Sequence, residues 1–311
     1  MPAKATRDAF GEALVKVGEK YPQVVVLDAD LAKSTKSEAF AKKYPQRFFE
    51  MGIAEANMIG TGAGLALAGK VPFICSFACF VTGRFDQLKL SVAYSKANVK
   101  VVGSHCGIAI GDDGYSQQGL EDISVMRTLP GMAVIQPADD VETEAVVEYL
   151  VTHPGPAFLR TTRQKLERVN DPASYKFQFG KVVELKKGKK AVIFATGGEV
   201  HPALEAAEQL GKQGMDVGVV NVHTIKPLDV EGVLRLANAA DAVVTAEDHQ
   251  IIGGLGSAVA EVLADHGVGK RLLRIGMQDA FGESGSPEEL LAKYKLDAKG
   301  IAEQVSTFLK K

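Results

Sequence analysis

Short runs of β-branched and other apolar residues alternate along the chain with segments whose apolar residues recur at helical spacing, and this alternation restricts the fold more than any other feature. The runs at 24–27, 71–76, 99–102, 133–135 and 157–159 each stand apart from amphipathic stretches. That rhythm predicts a parallel sheet with crossover helices. Residues 6–21 place Ala9, Phe10, Ala13, Leu14 and Val17 on one helical stripe, and 140–150 repeats the pattern with Val141, Val146, Val147 and Leu150. Both helices are expected to pack on that sheet.

A second βα series begins after a polar stretch with a breaker at Asn170-Asp171-Pro172 and a basic run, KKGKK, at 186–190. Its strands read 191–194, 217–222, 242–245 and 272–275, with helices at 202–210, 256–263 and 301–309. The 311 residues suffice for two domains of roughly 150 residues, each burying its own core without disulfides. We therefore expect an α/β protein with two domains, each with a mostly parallel sheet flanked by helices: residues 1–168, a linker at 169–186, and residues 187–311.

Thirty-six Lys and Arg balance 38 Asp and Glu, for a net charge of -2, so no global field draws the chain to nucleic acid or anionic lipid. Neither is expected as a partner. Three cysteines (Cys75, Cys79, Cys106) cannot build a disulfide framework and fit a reducing cytoplasm. The first eight residues, MPAKATRD, lack a signal-peptide core, and Lys70 and Pro72 interrupt the longest apolar region. The expected location is cytoplasmic.

Ligands of open α/β sheets gather beyond the C-terminal strand ends. There the loop 104–118 offers His105, Asp112, Asp113, Gln117 and Gln118 between glycine hinges, a composition shared by ordinary solvated loops. Glu55 stands alone among Ala, Gly and Met in GIAEANM. Burial favours the neutral form of such an acid, which suits proton exchange with a heterocyclic nitrogen; the plainer reading is a helix-start carboxylate that complements the dipole. Phe77 and Phe80 bracket Cys79 after a strand, a position common in cores. Arg160 and Arg163 end another strand, and Arg7 and Ser34 lie in the first helix and the first post-strand loop. Each reads as surface alone, yet their shared end of the sheet outlines a phosphate pocket.

Six strings in order, LDADLAKST, GIAEANM, SHCGIAIGDDG, FLRTTRQ, HTIKPLD and AEDHQIIGGLG, resemble the C-terminal half of transketolase: its pyrimidine-binding domain (1–168) and C-terminal domain (187–311). The resemblance implies a thiamine-diphosphate-dependent transferase that moves a two-carbon ketol unit from a ketose phosphate to an aldose phosphate in the pentose phosphate pathway. Glu55 resembles the glutamate that hydrogen-bonds N1′ of the aminopyrimidine, and Phe77 and Phe80 resemble the aromatics that pack on that ring. Asp30 resembles the aspartate near the thiazolium and subunit interface. Arg7, Ser34, His105 and Arg163 match the terminal-phosphate set, and Asp113 matches the carboxylate that reads the donor's hydroxyl stereochemistry. The resemblance thus implies catalytic parts for Glu55 and His105. Gln117, grouped with the cofactor-binding residues, stands where many members carry a histidine; Gln hydrogen-bonds but cannot transfer a proton near pH 7.

The family's diphosphate-binding motif, G-D-G followed about thirty residues later by Asn, is missing from this sequence. The resemblance therefore implies the second subunit of a split transketolase. A diphosphate-binding N-terminal subunit would hold the Mg²⁺ or Ca²⁺ ion, and no metal site is expected here. The expected assembly is a two-plus-two heterotetramer, self-associated across a two-fold axis. Rivals are the β subunit of a 2-oxo acid dehydrogenase, which needs no phosphate set; a fragment of a deoxyxylulose-phosphate synthase; and, outside enzymes, a non-catalytic interaction subunit. The C-terminal domain reads as a dimerisation and packing module, with His223 and His249 structural.

Overall fold

The computed structural model describes residues 3–311. Met1 and Pro2, which open both the first expected domain and the MPAKATRD segment, lie outside the described residues.

The first sheet has seven strands in the order Thr224–Lys226, Ala133–Ile135, Ala157–Arg160, Lys100–Ser104, Val71–Phe77, Val24–Asp28 and Phe48–Glu50. All neighbours are parallel except the first pair. The central strands are buried along their whole length, as strands covered on both faces require. Thr6–Lys20 and Asp140–Thr152 cover one face through Phe10, Leu14, Val146 and Leu150, as their stripes predict. Glu55–Leu67 covers the other through Met58, Ile59 and Ala63.

The second sheet has five strands, Arg271–Met277, Ala242–Gln250, Ala191–Ala195, Val217–Asn221 and Val183–Lys186, with only the last antiparallel. Its helices are Val200–Gly211, Leu255–Asp265 and Ala298–Leu309, each overlapping a predicted one, together with Val230–Ala239.

Two features depart from the expected division. The end of the 169–186 segment is not linker, because Val183–Lys186 pairs with Val217–Asn221 and closes the second sheet. Conversely, Thr224–Lys226 leaves the second half of the chain and pairs with Ala133–Ile135 at the edge of the first sheet. The domains are therefore laced together. Glu142 reinforces the joint: its buried carboxylate accepts from Ala138 N, from the Tyr175 hydroxyl in the connecting segment and from Asn221 Nδ2 in the second sheet.

Burial pushes the Glu142 carboxyl up to about 7, against the pull of the Tyr175, Ala138 and Asn221 hydrogen bonds. A carboxyl whose folded value lies above its unfolded one binds more protons folded, so its contribution to stability falls as pH rises from about 4.5 to 7. Glu142→Gln removes that titration. Denaturant unfolding at pH 5, 6 and 7 should show a shallower decline in the variant, by up to about 1.4 kcal/mol per pH unit. Identical slopes would show that Glu142 does not titrate in this window.

Candidate active site

Parallel pairing brings strand ends together, and the register fixes what meets. Ser76 lies opposite Gly103 and Phe77 opposite Ser104, so the residues that close these strands share one lip of the sheet. A side chain at Gly103 would put its Cβ 2.6 Å from the Phe158 ring. Only glycine admits that ring beneath the site.

Glu55 begins the helix Glu55–Leu67, whose Ala54 cap makes no side-chain hydrogen bond. The carboxylate meets the positive end of the helix, yet the residue is only 5% exposed. Gly62 allows the helix to lie close to the sheet, since a Cβ there would stand 2.7 Å from Ile74. Across that contact Ser76 Oγ donates to Glu55 Oε1 at 3.2 Å, the one hydrogen bond the carboxylate accepts among the described residues. Glu55 also lines an open cleft of about 560 Å³ with Ile53, Arg84 and Phe85. Glu55 thus stands at a helix start, as the plainer reading has it, and is buried there.

Next to Ser76, the Phe77 ring stacks on His105 with centroids 3.9 Å apart and on the half-buried Phe80 at 5.5 Å. His105 is buried and holds a left-handed φ of 55°. Its Nε2 lies 2.8 Å from Arg7 Nη1 and its Nδ1 2.9 Å from Ser104 Oγ. A guanidinium can only donate, so Nε2 accepts and the ring proton sits on Nδ1, donated to Ser104. Burial, then the positive charges of Arg7, Arg163 and Lys36, push the imidazole down to about 3. His105 is neutral at physiological pH and its lone pair is taken by Arg7.

Arg7 Nη1 also donates to the backbone carbonyl of Ser34 at 3.1 Å, while its Nε is buried without a partner. Burial lowers its pKa, and the nearby Arg163 charge adds to the effect. Arg163 Nη1 donates to Asp113 Oδ2 at 3.1 Å and to Ile110 O at 3.3 Å. This exposed ion pair is weak, and a multiply charged anion would compete with Asp113 for the guanidinium. Arg7 and Arg163 therefore form one cationic corner, with neutral His105 against Arg7 and Ser34 joining through its backbone.

The remaining sequence candidates lie apart from this contact path. Asp30 is exposed at φ 62°, and its amide donates to Glu50. Gln117 accepts from the Ser116 hydroxyl, and its carbonyl from Cys79 Sγ at 3.2 Å. Arg160 is a correction: it is no phosphate ligand. It is buried, paired with buried Asp122 at 2.7 Å, and donates to the carbonyls of Gly119 and Asp248. Sequence reasoning also passed over Ser76 and Ser104, whose only signal is their place at the strand ends. Burial pushes the thiols of Cys79 and Cys106 up to about 12 and that of Cys75 upward, so none is a ready nucleophile. No group of three or more His, Cys, Asp or Glu among the described residues is arranged to hold a metal ion. No described helix is long and apolar enough to cross a membrane.

Residues 3–168 match the family described as transketolase, pyrimidine binding domain, and 180–301 match the transketolase C-terminal domain. A provisional transketolase C-terminal section of Methanocaldococcus jannaschii is 46% identical over 310 residues, 99% of this chain and 97% of the relative. Human transketolase is 38% identical over 99% of this chain, which spans 49% of that protein. Among solved structures, a split-gene transketolase described as an inactive beta4 tetramer superposes with a TM-score of 0.91 at 44% identity, covering 99% of each chain.

Arg160→Met leaves Asp122 buried without its cation, which should cost about 3–5 kcal/mol of unfolding free energy. The double variant Arg160→Met with Asp122→Leu should recover much of that loss in the same denaturation experiment. A single variant as stable as the parent would mean that the buried pair does not support the fold.

Proposed function

Because the chain belongs to the transketolase family, we propose that it is the second subunit of a split, thiamine-diphosphate-dependent transketolase, moving a two-carbon ketol unit from a ketose phosphate to an aldose phosphate. The observation that carries this reading is the contact path from Glu55 through Ser76 and Phe77 to His105 and Arg7. It joins an acid and two aromatic rings, suited to an aminopyrimidine, to cations suited to a sugar phosphate.

The residues present fit the cofactor's pyrimidine. Glu55 accepts only the Ser76 hydroxyl within the described chain, which leaves carboxylate capacity for a ring nitrogen, and Phe77 and Phe80 offer apolar faces for a planar ring. When bound, thiamine diphosphate supplies the carbon nucleophile that takes up and releases the ketol unit. Glu55 would hold a proton between its carboxylate and the pyrimidine nitrogen. Arg7 and Arg163 would grip the terminal phosphate, with neutral His105 ordering Arg7. Asp113, freed from Arg163, would meet the sugar hydroxyls. Asp30 is assigned to the thiazolium side and Gln117 to hydrogen bonding without proton transfer.

The diphosphate and its Mg²⁺ or Ca²⁺ ion are assigned to a partner subunit, and the assembly to a two-plus-two heterotetramer in the cytoplasm. Supporting the split, the 6-deoxy-6-sulfo-D-fructose transketolase subunit SqwH of a Clostridium species is 44% identical and aligned over 91% of its own length. The phosphate corner favours this reading over a 2-oxo acid dehydrogenase subunit, whose short substrate needs no such cations.

Ketol transfer from xylulose 5-phosphate, assayed with the chain alone and after mixing with a diphosphate-binding transketolase subunit, tests the proposal. Activity is expected only in the mixture. Full activity of the lone chain would refute the division of labour, and transfer from pyruvate in preference to the sugar phosphate would refute the substrate class.

A further inference from the structure

The loop that carries His105 and Asp113 is held largely by the other domain. Ile108 N donates to Asp248 Oδ1 at 2.7 Å, and Ala109 N lies 3.5 Å from Asp248 Oδ2. Asp248 lies in the strand Ala242–Gln250 of the second sheet and is buried. Gly107 makes this approach possible: at φ +82° it occupies the left-handed region, and a Cβ there would stand 1.9 Å from Asp248 Oδ2. Arg160 Nη2 donates to the Asp248 carbonyl at 2.8 Å, so the acid's own backbone is anchored. A second tie lies at the far end of the loop, where Gln118 Nε2 donates to Ile108 O at 3.3 Å and to Glu283 O at 3.0 Å. Between these ties Gly111 packs near Pro287, and Gly114 near Ser284.

We propose that Asp248 is a positioning residue of the active site: by clamping the amides at 108 and 109 it holds His105 against Arg7, so that this guanidinium stands where the phosphate of a phosphorylated sugar needs it. The inference rests on the transketolase reading. A buried carboxylate that serves only packing could be replaced by an apolar side chain at little cost, whereas Asp248 spends both oxygens on the amides of one loop. That loop's functional residues reach in the opposite direction, His105 to Arg7 and Asp113 to Arg163. The second domain is then more than the packing module its sequence suggests, because it shapes the sugar site without touching substrate.

Asp248→Asn keeps the shape but replaces one acceptor oxygen with a donor, so one of the two amides loses its partner. In the assembled enzyme, kcat/KM for xylulose 5-phosphate should fall by roughly tenfold or more, while that for unphosphorylated xylulose changes by less than about twofold. Amide hydrogen exchange at 107–110 should quicken. Equal losses with both donors, or an unchanged preference for the phosphorylated donor, would overturn the positioning role. Should Asp248→Asn fail to fold, Gln118→Glu, which removes the second tie, must produce the same selective loss, and a non-selective one overturns the proposal. A wild-type complex that transfers no ketol unit would instead overturn the enzyme reading and this inference with it; a working wild type with a non-selective variant overturns only the role of Asp248.

Discussion

The fully buried guanidinium of Arg160 is the contact on which the rest of the molecule depends. It closes the strand Ala157–Arg160, pairs with Asp122 at the start of the helix Asp122–Arg127, and donates to the carbonyl of Gly119 behind the loop and to that of Asp248 in the second sheet. Burial opposes its charge, but the attraction and hydrogen bond of Asp122, joined by neighbouring groups that include Asp248, raise its pKa overall and keep the guanidinium protonated. A charge taken out of water is tolerated only when paired and hydrogen-bonded. Those needs fix three segments of the first domain against one strand of the second.

From that knot the site follows by register. With the end of Ala157–Arg160 held, its neighbour Lys100–Ser104 and the next strand, Val71–Phe77, present Ser104, His105, Ser76 and Phe77 along one lip. Three near-parallel rings and a pair of hydroxyls then join the acid at the start of one helix to a guanidinium from another. On the proposed reading, cofactor chemistry and phosphate recognition would be coupled through strand ends, an arrangement that favours catalysis by orientation.

Much of the architecture was readable from the chain because parallel strands buried on both faces are apolar along their run, as at 24–27 and 71–75. What escaped did so for identifiable reasons. The strand Ala242–Gln250 runs well past 242–245, because Glu247, Asp248 and His249 are polar yet buried: amides of Leu255 and Gly256 in the same domain meet Glu247, while the first domain meets Asp248 and His249. Val183–Lys186 is a half-exposed edge strand, and Thr224–Lys226 is three residues long in a sheet belonging to the other half. Neither leaves a periodic pattern. Glu55, Phe77 and His105 sit in recognisable strings, whereas the contacts of Arg160 with Asp122 and Asp248 span 38 and 88 residues and write no local signature. Arg160 consequently reads as a companion of Arg163, although only Arg163 reaches the site.

The central claim is that Glu55 shares a proton with the pyrimidine ring of a cofactor held between this chain and another. Exchange of the C2 proton of bound thiamine diphosphate for deuterium, followed by NMR in the assembled complex, tests it most directly. Glu55→Gln should slow that exchange by about a hundredfold or more, the range expected for loss of a positioned acid–base group, while the circular dichroism of the complex is unchanged. Exchange at the parental rate in a folded, cofactor-loaded variant would contradict the account.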